Sequence, residues 1–117
     1  MSVIIHLHVG SVEEMGQRFV AAWRRLERGE AVAETHLTFF ALETMMATLS
    51  PERLALLRQV RQHPIHTVAE LARALGRDDR QVHKDVAALA RAGLIVRDEH
   101  GIRTPYSHVQ ATVSLES

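Results

Sequence analysis

Arg80, Gln81, His83, Lys84 and Arg91 are the residues whose types and spacing suit a specific chemistry. With Val82 set inward and about 100° of turn per residue, Arg80, Lys84 and Arg91 point away from the apolar side of a helix, and Gln81 and His83 flank them. Guanidinium and ammonium groups bind phosphate oxygens or the O6/N7 edge of guanine, and a glutamine amide pairs with adenine. The free N–H groups at a helix N-terminus favour phosphate. Ala87 and Ala88 keep the middle of this face low, as a helix lying near a groove floor requires. A solvated surface helix carries the same residue types, so the face alone leaves both readings open.

The elements that must position this face are legible on either side of it. Thr67 and Glu70 form a capping box, in which the hydroxyl accepts from the backbone three residues on and the carboxylate reaches back to the threonine N–H. Val68, Leu71, Ala72 and Leu75 then follow at helical spacing, and Gly76 stands where a left-handed residue closes a helix. Asp78 and Gln81 repeat the start signal, and Val82, Val86, Leu89 and Ala90 give the next helix its apolar stripe. Two helices so close must cross steeply, as in a helix-turn-helix. After Gly93 the pattern turns extended: Leu94-Ile95-Val96, a turn at Asp98-Glu99-His100-Gly101, and a return over Ile102-Arg103-Thr104. Arg97, His100 and Arg103 on this hairpin are placed to touch a neighbouring backbone or minor groove, as the wing of a winged helix does.

The run LARALGRDDRQVHKDVAALARAGLI resembles the winged helix-turn-helix repressors of the MarR-like and GntR-like kinds. Leu71-Ala72 and Leu75-Gly76 match their turn, Arg80 to Lys84 the recognition helix, and Leu89 with Gly93-Leu94-Ile95 its end. More narrowly, Phe39, Leu49 to Leu54, Gly76-Arg77-Asp78, Val82 to Val86 and Pro105-Tyr106 are similar to a group of short transcriptional regulators often suspected to be antitoxins. The resemblance implies double-stranded DNA as a partner and allows a toxin protein as a second. Two positions depart from the pattern. Arg77 replaces an apolar or small turn residue, which is expected to move positive charge toward the DNA, and His83 replaces a common serine.

Composition is compatible with that role. Fourteen Lys and Arg balance fourteen Asp and Glu, so attraction to arbitrary DNA is expected to be weak and dimerisation to be needed for useful affinity. With no cysteine, disulfides, thiolate metal sites and cysteine nucleophiles are excluded. No apolar run approaches a membrane span and the N-terminus does not read as a signal peptide, so no membrane partner and a cytoplasmic location are expected. Neither paired carboxylates nor a phosphate-binding loop is present, and neither an enzymatic activity nor a cofactor is expected.

Outside the central stretch, Ser2 to Val9 alternates as a strand, and Ser11 with Glu14 caps a helix that Gly29 stops. That helix carries Met15, Phe19, Ala22, Trp23 and Leu26 on one stripe. His36 to Phe40 reads as a second strand beside the first, Leu42 to Leu49 as a short helix, and Ser50-Pro51 as the start of another with Leu54, Leu57 and Val60 inward. Val109 to Leu115 alternates as a last strand, expected to extend the wing or reach another subunit. His6, His8 and His36 match no ligand spacing and read as solvated strand histidines, with no metal expected. The expected fold is α+β, mainly α: an N-terminal strand-helix-strand extension over residues 1–48 and a winged helix-turn-helix over 49–117. Ile5, Leu7, Phe19 and Trp23 are the expected homodimer contacts, packing within one chain being the alternative. The expected function is a dimeric, sequence-specific DNA-binding repressor; the alternative is an antitoxin or other protein-binding module.

Overall fold

The computed structural model describes residues 3–29, 35–39, 41–113 and 115. The fold is α+β, about half helical, and its contacts divide it into two units. One unit takes in Met46–Ser107 with Val3, the other Ile4–Met45 with the chain from His108 onward.

The second of these holds β1 (Ile4–Val9), α1 (Val12–Glu27), β2 (Thr35–Phe39) and β5 (His108–Val113). Ser11 caps α1 by accepting from the Glu14 N–H, and Gly29 follows the helix at a φ of 81°. The three strands form one parallel sheet in the order β2-β1-β5, with Leu7 opposite Leu37 and Ala111. On the central strand Ile5 and Leu7, which share one face, are 2 % and 0 % exposed, whereas His6 and His8 on the other face are half-buried. Two expectations are corrected here. β5 extends neither the wing nor another subunit, because it supplies the second partner of β1. Ile5 and Leu7 are interior to their own chain and have no surface left for a dimer contact. Ser2 and Phe40, the outer ends of the two expected strands, lie outside the described residues.

α2 (Leu42–Thr48) spans the division between the units. The other unit contains α3 (Pro51–Gln62), α4 (Val68–Leu75), α5 (Asp79–Arg91) and the antiparallel pair β3 (Val96–Asp98) and β4 (Gly101–Arg103). Ser50 caps α3 and Thr67 caps α4, each accepting from the N–H three residues on. Gly76 ends α4 at a φ of 64°, in the left-handed region. Leu56, Leu57 and Val60 of α3, Val68, Leu71 and Ala72 of α4, and Val82, Val86 and Leu89 of α5 are buried, joined by Leu94, Ile95 and Ile102. The apolar row of α3 is therefore shifted from the expected one: Leu56 is fully buried, while Leu54 is only half-buried.

Two helix starts differ from expectation in detail. The Glu70 carboxylate accepts from the N–H of His66, one residue before Thr67. Asp78 occupies the N-cap of α5 without a side-chain cap bond. Between α3 and α4, Ile65 makes a single antiparallel bridge to Ile102, with Ile102 N–H donating to the Ile65 carbonyl at 2.9 Å. Gly101 makes that approach feasible: at a φ of 122°, an added Cβ would lie 2.2 Å from the Ile65 oxygen.

Candidate nucleic-acid interface

α5 buries Val82, Val86 and Leu89 and thereby turns the opposite side out. Arg80, Gln81, His83, Lys84, Ala87 and Arg91 are all exposed there. Among the described residues, no hydrogen bond or ion pair holds the side chains of Arg80, Lys84 or Arg91, so their donors are free for a ligand. Ala87 and the half-buried Ala88 keep the ridge between these cations low. At the other end, Asp78 and Asp79 are exposed carboxylates in the first turn of α5. Their charge offsets the pull that a helix N-terminus exerts on an anion, so the expected N-terminal phosphate contact is opposed.

Arg77 does not face outward as expected. Its guanidinium is half-buried and donates from Nη2 to Asp85 Oδ2 at 2.8 Å, while Arg53 Nε donates to Asp85 Oδ1 at 3.0 Å. Arg53 also donates to the carbonyls of Ala47 and Thr48. Asp85 thus joins the α4–α5 turn to the start of α3, and Arg77 serves as a positioning residue. Nη1 of Arg77 is buried and, among the described residues, has no hydrogen-bond partner. No local pattern announces this bridge, because Arg53 and Asp85 are 32 residues apart in the chain.

The hairpin beside α5 carries Arg97, His100 and Arg103, all exposed. Asp98 organises its turn: Oδ1 accepts from the His100 N–H at 2.8 Å, and Oδ2 accepts from Arg103 Nη2 at 3.0 Å. The His100 N–H bond, with help from Arg103, holds the Asp98 carboxyl below its usual range. Arg103 is therefore partly neutralised, whereas Arg97 is not paired among the described residues.

A family model named HVO_A0114 matches residues 48–111. That stretch is more than half of the chain and contains α3, α4, α5, the hairpin and most of β5. The chain belongs to the HVO_A0114 family. The family stretch contains every residue of the outward α5 face and the hairpin, whereas α1 lies before it. No curated protein and no solved structure matches the chain.

In the sheet unit, Phe19 and Trp23 are 69 % and 56 % exposed. The histidines are more organised than solvated side chains would be: His36 stacks on both His6 and His8 at about 5 Å between ring centroids, and His8 Nε2 lies 2.8 Å from His36 Nδ1. Such a bond needs one protonated and one bare nitrogen. Burial first, then the charge of Arg18 and the neighbouring His36 and His6, lowers the pKa of His8 from its ordinary value. Arg18 itself donates to Thr38 Oγ1 on β2. Among the described residues no group of three or more His, Asp or Glu is arranged to hold a metal ion, and no helix is long and apolar enough to cross a membrane.

Proposed function

We propose that the chain is a sequence-specific DNA-binding transcription regulator, acting as a dimeric repressor in the cytoplasm. The unit of α3, α4, α5 and the β3–β4 hairpin is read as a winged helix-turn-helix, with α5 entering the major groove. Arg80, Gln81 and Lys84 are the base-reading or near-base contacts, and His83, Arg91, Arg97, His100 and Arg103 lie along phosphates. The observation that carries this reading is the row Arg80, Lys84, Arg91: three exposed cations on the side of α5 opposite its buried stripe, none held by a partner among the described residues.

The rival is a protein-binding module, such as an antitoxin that holds a toxin, with DNA secondary. The exposed apolar side chains of α1 favour it. Selecting bound fragments from random duplex DNA at low salt, followed by gel shift, separates the two. Enrichment of a motif, lost in an Arg80→Ala variant, supports the regulator; absence of both enrichment and shift gives the molecule to the rival.

A further inference from the structure

The helix α1 is amphipathic in an unusual sense, because its apolar stripe is turned to solvent. Glu14, Arg18, Ala22 and Arg25 form its less exposed side, and Arg18 reaches down to Thr38 on the sheet. Val12, Met15, Phe19, Val20, Trp23 and Leu26 are all exposed. At helical spacing these six make one continuous stripe along a helix of 16 residues, about 24 Å long. Solitary exposed apolar residues need no explanation, but a contiguous stripe with two aromatics marks a contact surface. The indole N–H of Trp23 is already satisfied, donating to Glu27 Oε1 at 2.6 Å, so the ring can be buried without stranding a donor.

The pattern along α1 identifies what covers it. Met15 and Trp23 each lie four residues from Phe19, and Val12 and Leu26 each lie seven. Apart from Val20, the stripe is therefore its own mirror about Phe19, the requirement of a two-fold contact between identical helices running antiparallel. Charge repeats the symmetry. Acidic residues, Glu13 and Glu14, stand in the first turn and basic residues, Arg24 and Arg25, in the last. In an antiparallel pair the acidic first turn of each helix lies beside the basic last turn of the other copy, and the two helix dipoles are opposed. Gly16, around whose Cβ position there is nothing within 4 Å, leaves a notch next to Met15 where the other copy's Trp23 fits.

We propose that α1 is a self-association surface on which the α1 of a second copy lies antiparallel, centred on Phe19, with Met15 and Gly16 against Trp23 and the acidic first turn of each helix beside the basic last turn of the other. The proposal rests on the dimeric reading given above only for its biological use, since the contact needs no DNA. It also assigns the dimer contact to Phe19 and Trp23 without Ile5 and Leu7, which are interior.

Sedimentation equilibrium of the full chain without DNA tests it. Wild type is expected to be dimeric, and Phe19→Asp to raise the dimer dissociation constant more than about tenfold, because it places a carboxylate at the two-fold axis, while circular dichroism keeps the wild-type helix signal. Glu13→Arg and Arg24→Glu should each weaken the dimer about threefold or more, and an equimolar mixture of the two should regain it as a heterodimer. A monomeric wild type, or a folded Phe19→Asp that stays dimeric, overturns the proposal, the first giving the stripe to a different protein. A mixture no tighter than its components overturns the antiparallel arrangement. DNA selection with the same variants reads the regulator proposal separately, since a failure to enrich a motif leaves the sedimentation result standing.

Discussion

Asp85 holds two guanidinium groups at once, and those two belong to α3 and to the turn before α5. Removing the carboxylate leaves Arg53 and Arg77 partly buried without their counter-charge, and hydrogen bonds to charged groups are each worth about 1.5–3 kcal/mol. Asp85→Ala is therefore expected to lower unfolding free energy by about 2–4 kcal/mol in urea titration; a loss within about 0.5 kcal/mol would show that solvent replaces the bridge. The exposed cations behave differently. Arg80→Ala should leave stability unchanged, cost about 1–3 kcal/mol on the selected site and relax one base position. Arg91→Ala, which removes a phosphate contact, should weaken all duplexes alike and reduce the salt slope by about one. Anisotropy titrations at several salt concentrations check both, and equal losses on specific and scrambled DNA for Arg80→Ala would remove its base-reading role. His8 adds a pH dependence. Its pKa is lowered in the fold, so the unfolded chain binds more protons as pH falls through the ordinary value of 6.5. The stability that His8 permits at pH 8 is thus lost progressively toward acid, and His8→Asn should flatten the melting temperature between pH 8 and 5.5 relative to wild type. Residue types on α5 were legible because burial of Val82 and Val86 fixes which side is outward. The role of Arg77 was not, since its partner is set by tertiary packing.

At the scale of elements, local signals were reliable where one residue sets a backbone conformation. Ser11, Ser50, Thr67 and Gly76 stand at the helix ends their types imply. Asp78 shows the limit, because a position that suits a cap does not oblige the side chain to make one. Strand partners were less legible: alternation marks Val109 to Val113 as a strand but carries no information on which edge it joins, and β5 pairs with β1 across the length of the chain. Ile65 is one apolar residue between a helix end and a cap, too short for any periodicity, yet its bridge to Ile102 ties the hairpin to the helices. Gly101→Ala tests that tie. The Cβ collides with the Ile65 carbonyl and the φ of 122° is strained for alanine, so a loss of about 2–3 kcal/mol is expected with faster amide exchange at Ile102. Unchanged exchange at Ile102 would mean that the bridge contributes little.

At the scale of the molecule, two units divide the work proposed for this chain: one offers cations and a hairpin, the other an apolar stripe suited to a second copy. A neutral chain has little general attraction for DNA, so under the proposed function specificity and pairing together supply the affinity. Dimer-deficient Phe19→Asp should accordingly bind a two-half-site duplex at least about tenfold more weakly than wild type while its half-site affinity is preserved. The most direct test of the central claim is the binding of wild type and an Arg80→Ala/Lys84→Ala variant to duplexes enriched from a random pool, at fixed salt. The expected result is at least about a thousandfold preference of wild type for its enriched motif over scrambled DNA, abolished in the variant with the fold intact. Equal binding by both proteins, or no motif enriched by wild type, would contradict it.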